Sequence, residues 1–275
     1  MNGLRRVRSA GEELCVLVHE GALHPLGSPL AELLGAGLDA LAEAVERAPA
    51  TPPLAGEVEV LPPVDRQEVW ASGVTYERSR QARVDESAVA QAYDLIYGAE
   101  RPELFFKSPA YRVPPPGAPL RIRADSTWDV PEPELALVLT AQGEIAGYLV
   151  GDDLSSRSIE GENPLYLSQA KIWDDSIGLS DTIALARDVG EGARSAGISL
   201  RIERAGAVAY EGVTSTARMR RPFEELVPYL FRELSHPHGV LLLTGTGLVP
   251  PDEFTLEDGD TVEIGIEGIG TLRHD

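Results

Sequence analysis

The sequence predicts an α+β protein dominated by β-strands, with a small αβ unit at its N-terminus. Short apolar runs of strand type recur from residue 69 onward, separated by Gly-, Pro- and Asp-rich stretches. Val262, Ile264 and Ile266 alternate with polar or small residues, as a half-buried strand requires. Helical spacing is confined to a few segments.

Residues 13–19 read as a strand. Ser28 followed by Pro29 reads as an N-cap with proline at the first helical position, opening one helix through "LAELLGAGLDALAEAVERA". "PATPPLAG" (49–56) breaks the pattern and reads as a linker, which sets the small unit at 1–62 and a larger one at 63–275. A short strand follows near Val69 to Val74. Asp85 can cap a helix through Tyr97, with Val89, Tyr93 and Ile96 at helical spacing. "LFFKS", "LRIRA", "ELALVLT" and "IAGYLVG" read as strands, and "PFEELVPYLFREL" (222–234) as a helix. "GVLLLTGTGLVPP" and "DTVEIGIEGIGTL" close the chain.

The 275 residues suffice for a packed core, and the formal net charge is -20. An anionic surface argues against nucleic acid and anionic membranes as partners. Cys15 is the only cysteine, so intramolecular disulfides and Cys-based zinc sites are excluded. "LCVLV" is too short for a signal segment, and no apolar run reaches the roughly 20 residues of a membrane helix. The expectation is a soluble, cytoplasmic protein.

"WDVPEPELALVL" places Glu132 and Glu134 one residue apart at the start of an apolar strand, interleaved with Pro131 and Pro133. Residues i and i+2 of a strand share a face, so the two carboxylates project together. On this fragment alone, a solvated edge that discourages aggregation is the simpler explanation. "LVLTAQGEIAGYLV" then reads as a hairpin turning at Gln142-Gly143, whose return strand ends at Asp152 and Asp153. That return brings Asp153 beside the two glutamates. Three converging carboxylates without nearby His or Cys suit a hard divalent ion: Mg2+, Mn2+ or Ca2+. Asp152 is a reserve ligand.

These residues, with the "DDLSSR" segment, the later Lys171, "LLLTGTGLVPP" and "GDTVEIGIEGIGTL", resemble the fumarylacetoacetate hydrolase family over roughly 65–275. The resemblance implies a fumarylacetoacetate hydrolase-like rolled mixed β-sheet domain, a homodimer or homotetramer, and a metal held by Glu132, Glu134 and Asp153. Hydrolases of the family carry "N-Y-x-x-H" early in the large domain, its His activating water. Here "VTYERSRQA" has Thr75 for Asn and Ser79 for His. His236 and His238 flank Pro237 at an expected helix end, where a solvated cap is the simpler reading.

"GVTYERS", "RPELFFKS" and "SIEGENPLYLSQAKI" are most similar to a branch of that family, the 2-keto-3-deoxy-pentonate dehydratases. The branch implies dehydration to 2,5-dioxopentanoate. A metal-chelated 2-keto acid would lose a C3 proton and then its C4 hydroxyl. Glu103 is expected to transfer protons. Lys171 is expected to bind the substrate carboxylate or polarise the keto group. Arg157 and Thr246 are expected at the substrate, as are Arg78 and Ser79 on a loop-like segment that could act as a lid. Lys107 is placed with them, though a structural role fits it as well. The competing readings are a C–C bond hydrolase of acylpyruvate type, an oxaloacetate-type decarboxylase, and a non-catalytic keto-acid binding module.

Overall fold

The computed structural model describes residues 2–76 and 98–275. The helix expected from Asp85 to Tyr97 lies outside the described residues, as do Arg78 and Ser79 and the lid expected there. The chain opens with β1 (Gly3–Ser9), β2 (Glu12–His19), β3 (Ala22–Pro25), α1 (Leu30–Ala36), α2 (Leu38–Arg47) and β4 (Glu59–Val60). It continues with β5 (Glu68–Gly73), β6 (Glu103–Ser108), β7 (Asp129–Val130), β8 (Pro133–Leu139), β9 (Ile145–Asp153) and β10 (Ser155–Ser156). Next come α3 (Arg157–Glu162), α4 (Leu167–Lys171), β11 (Ile177–Leu179), β12 (Thr182–Leu185) and α5 (Ala186–Val189). The last elements are β13 (Gly197–Arg204), β14 (Ala207–Ser215), α6 (Phe223–Leu230), β15 (Val240–Leu243), β16 (Thr261–Ile266) and β17 (Gly270–His274).

The expected β-dominated α+β architecture is the one observed. Among the described residues eleven strands form one sheet, with the path β3-β2-β1-β12-β9-β8-β15-β5-β6, β11 added to β9 and β4 to β1. The sheet is mixed: β15 runs parallel to β5 and antiparallel to β8. Its centre is covered on both sides, which explains why β8 reads as a continuous apolar run rather than an alternation. Ala136 and Val138 pack with Leu30, Leu34 and Leu41 of α1 and α2. Leu135, Leu137 and Leu139 pack with Ile198, Leu200, Ile264 and Phe223 on the other face. That second layer is the four-stranded sheet β14-β13-β16-β17 together with α6.

The N-terminal strands belong to the large sheet. β1 pairs with β12 through Gly3↔Ala184 and Leu4↔Ile183, so hydrogen bonding continues across the boundary expected at residue 62. β1 carries no apolar strand signature, because "GLRRVRS" holds three arginines. Their heads reach acceptors on neighbouring strands and the adjoining loop: Arg5 to Thr182, Arg6 to Val64 O and Glu13, and Arg8 to Glu59.

Several expected elements are corrected. The first helix is two helices, because Gly37 adopts φ 99° and ψ 177°, outside the helical region. Pro29, not Ser28, is the N-cap, and Asp65 supplies the missing side-chain acceptor by taking the amide of Ala31 at 3.1 Å. "LRIRA" forms no strand. It is tied edgewise by Leu120 N donating to Asp275 O and Arg121 N to Asp175 O. The helix expected at 222–234 ends at Leu230. His236 beyond it is buried rather than solvated, with its ring 5.0 Å from that of Phe231.

Among the described residues no helix is long and apolar enough to cross a membrane. Cys15 is buried, and burial pushes its thiol up to about 12. The reactive species is the thiolate, so native protein is expected to ignore a thiol reagent at pH 8 and to react fully once unfolded. Rapid labelling of the native protein would contradict this packing.

Candidate metal centre

The site is built where β8 and β9 begin and end. Their antiparallel register places Pro133 opposite Asp152 and Glu134 opposite Gly151. Asp153 N donates to Glu132 O at 3.0 Å, which brings Asp153 against the Pro-Glu-Pro entry as the hairpin predicted. Carboxylate oxygens of Glu132, Glu134 and Asp153 lie within 4.8 Å of one another, and all three residues are buried. Glu134 also accepts the amide of Gly245 at 2.6 Å. Gly245 has φ 91°, and a Cβ there would stand 2.0 Å from Thr75 Oγ1, so this loop requires glycine.

Three cations answer the three carboxylates. Lys171, at the end of α4, donates to Glu132 Oε2 at 2.6 Å and to Asp153 Oδ2 at 2.9 Å. Arg157, at the start of α3, donates to Glu132 Oε1 at 2.7 Å. Lys107, on β6, pairs with Asp153 Oδ1 at 2.6 Å. All three are at most 2% exposed. The chain has 24 basic residues, of which Lys107 and Lys171 are the only lysines. Both lie in this cluster, a compositional signal that the sequence reading did not use. Guanidinium serves everywhere else; the compact three-donor ammonium is kept for the tightest positions.

Lys107, open from sequence between a substrate-facing and a structural role, directs its ammonium to Asp153, the carbonyl of Leu154 at 3.0 Å and the carbonyl of Lys171 at 2.5 Å. An ammonium has three N–H donors, and three protein acceptors surround this one. Burial holds the Lys107 pKa below its ordinary value, against the pull of Asp153.

Asp152 turns away from the cluster. Its Oδ1 accepts the Glu132 amide at 2.9 Å and its Oδ2 lies 2.8 Å from His274 Nε2, so the reserve-ligand reading does not hold. The neighbours Asp152 and Asp153 point to opposite faces of β9, as consecutive strand residues must.

Glu103 stands opposite Gly73 across β5 and β6. Its carboxylate lies over that glycine: a Cβ at residue 73 would be 1.9 Å from Glu103 Oε2. Oε2 is buried and has no hydrogen-bond partner among the described residues. Gly73, Arg157, Lys171, Thr246 and the three carboxylates line one narrow cavity. The Thr246 hydroxyl is engaged locally, donating to Leu248 O at 3.0 Å. The Tyr76 hydroxyl was not singled out from sequence. It is buried, without a hydrogen-bond partner among the described residues. Burial, and then the charge of Glu134, raise its pKa.

Glu134 is held well above the usual carboxylate range, first by burial and then by the charges of Asp153 and Glu132. Lys171 and the Gly245 amide pull the other way without cancelling this, so a further cation beside Glu134 would be favoured. The donors are all carboxylate oxygens, the class that binds hard divalent cations. The residues present therefore fit such an ion.

Known proteins bear on this geometry. Over 212 residues the chain is 50% identical to "Probable 2-keto-3-deoxyxylonate dehydratase" of Haloferax volcanii, a match spanning 77% of this chain and 73% of that protein. It is 42% identical over 221 residues to 2-dehydro-3-deoxy-D-arabinonate dehydratase of Saccharolobus solfataricus, spanning 78% and 74%. A solved 2-keto-3-deoxy-D-arabinonate dehydratase complexed with magnesium and 2,5-dioxopentanoate superposes with TM-score 0.86 at 33% identity, covering 100% of this chain and 98% of that one. Residues 68–275 match the family described as fumarylacetoacetate (FAA) hydrolase C-terminal. The chain belongs to the fumarylacetoacetate hydrolase family.

Proposed function

We propose that this chain is a magnesium-dependent hydro-lyase that dehydrates a 2-keto-3-deoxy pentonate to 2,5-dioxopentanoate. The observation that carries the reading is the buried cluster of Glu132, Glu134 and Asp153 with Lys171 across two of them, in a chain so similar to enzymes named for that reaction. Magnesium held by the three carboxylates would supply Lewis-acid polarisation of the 2-keto oxygen.

The chain's own residues account for the rest. Charge develops on the keto oxygen when a C3 proton leaves, and Lys171 and Arg157 are the cations bordering the cavity. The cluster's three cations offset its three carboxylates, so a divalent ion leaves the site net positive for an anionic keto acid. That local charge works inside a surface whose total is -20. Screening confines the outer repulsion to roughly 8 Å at physiological salt. Glu103, with an oxygen free of hydrogen bonds among the described residues, is the group assigned to take the C3 proton and return one to the departing hydroxyl. The absence of a water-activating histidine supports elimination over hydrolysis, since none of the five histidines lines the cavity. A homodimer or homotetramer and a cytoplasmic location belong to the same proposal, and light scattering on purified protein reads the first.

Gly73→Ala tests the seat of Glu103. The added methyl must displace the carboxylate, and misplacing a reacting group by about 1 Å costs on the order of 100-fold. The expected result is that loss in kcat with magnesium affinity unchanged. Unimpaired turnover would remove Glu103 from the reaction.

The reading as a whole is tested by products. Purified protein given 2-keto-3-deoxy-D-xylonate or its arabinonate epimer should form an aldehyde with loss of one water, while acylpyruvates turn over poorly. Cleavage of acylpyruvates into two acids would favour the hydrolase, and carbon dioxide release the decarboxylase. Ligand-induced thermal stabilisation without any product, over a panel of 2-keto acids, would mark a binding module.

A further inference from the structure

The Pro-Glu-Pro entry has an unusual hydrogen-bonding problem. Pro131 and Pro133 have no N–H, so Glu132 supplies the only amide of the three residues. That amide is answered by a side chain. It donates to the side chain of Asp152 at 2.9 Å, from the position paired with Pro133. Asp152 is fully buried, and its second oxygen is held at 2.8 Å by His274 Nε2. A carboxylate only accepts, so Nε2 is the donor. His274 is 4% exposed and sits at the end of β17, paired with Val262. The carbonyl of Glu132 is fixed separately, by Asp153 N.

From this chain of contacts we propose that His274 is a positioning residue of the metal centre. Acting through Asp152, it fixes the backbone of Glu132, and with it the angle at which the Glu132 carboxylate faces Glu134 and Asp153. The reason lies in the sequence. The prolines remove the ladder hydrogen bonds that would anchor this strand entry, and a side-chain pair from β9 and β17 replaces them. An Asp152 freed from His274 would be a buried carboxylate with one partner fewer, able to rotate off the Glu132 amide. The inference rests on the reading of Glu132, Glu134 and Asp153 as ligands and adds a residue that touches none of them through its own side chain.

The test is calorimetric titration of magnesium into wild type, His274→Leu and His274→Gln, with steady-state kinetics on each. Gln can place an N–H donor near the position of Nε2, and Leu cannot. Partners behind metal ligands typically tune affinity by about 10- to 100-fold. The expected result is a loss of that size in magnesium affinity for His274→Leu, near-normal affinity for His274→Gln, and a kcat for His274→Leu that returns close to wild type at saturating magnesium. Equal affinity in His274→Leu and wild type would overturn the proposal. Equal weakening in both variants would also overturn it, because the ring would then act by packing alone. Wild type that binds no magnesium at all would overturn the ligand reading, and this inference with it. Should His274→Leu fail to fold, His274→Phe decides. It keeps a ring without any N–H donor, so weakened magnesium binding supports the proposal and unchanged binding overturns it.

Discussion

Lys171→Met is expected to lower turnover by about 100- to 1,000-fold and to weaken substrate binding, while magnesium binds as well as before or better. The ammonium is fully buried and donates to both Glu132 and Asp153. Breaking one side of a buried charge cluster also lowers stability by about 3–5 kcal/mol, far more than a surface pair, so a melt accompanies the kinetics. For the metal the sign is opposite, because a competing cation beside two of its ligands has gone. Steady-state kinetics and magnesium calorimetry on one preparation decide the matter. Near-normal turnover would remove Lys171 from the reaction, and loss of metal binding would make it a support of the carboxylates. The variant also unsettles Lys107, which holds the carbonyl of Lys171 at 2.5 Å. Lys171→Arg is therefore the useful control: it keeps the charge but not the three-donor geometry, and it is not expected to restore full activity.

Glu132→Gln is expected to cost at least about 1,000-fold in turnover. Glu132 accepts from Arg157 and Lys171 on separate oxygens. An amide removes the charge and turns an N–H2 toward one of those cations. Two effects then add: a ligand is lost, and a buried cation loses its counter-charge. The second also lowers stability, by on the order of 10 °C in Tm at about 3–5 kcal/mol. The protein should remain folded at 25 °C, so far-UV circular dichroism together with a melt separates lost chemistry from lost structure. A variant that keeps wild-type activity would exclude Glu132 as a ligand.

Much of this site was legible in the sequence because its chemistry sits on regular elements. Glu132 and Glu134 stand out by their spacing at a strand entry, and Asp153 follows from a hairpin whose turn carries Gly143 at φ 81°. Lys171 and Arg157 were reached through the family resemblance. What the sequence hid lies in tertiary partnerships. Lys107 is occupied by backbone carbonyls of residues 154 and 171, which leave no mark on residue type. Gly73 matters because the register puts Glu103 across from it, and that register was not deducible from either segment alone. His274 is distant in sequence from Asp152, and nothing local links them. In the fold, β1 was masked by arginines whose guanidinium groups are answered by Thr182, Glu13 and Glu59 on neighbouring strands. "LRIRA" looked like a strand because its alternation is real, yet its amides go to Asp275 and Asp175 at the edge. Gly37 was read through as an ordinary helix interior residue, whereas its backbone turns the chain between two helices.

The account's central claim is metal-dependent dehydration at the three carboxylates. The most direct measurement is loss of 2-keto-3-deoxy-pentonate after exhaustive chelation, followed by stepwise return of magnesium. The account predicts activity below about one hundredth of the starting value without metal, since Lewis-acid stabilisation is worth several kcal/mol, and recovery that saturates at one magnesium per chain. Full activity in the chelated protein would contradict it.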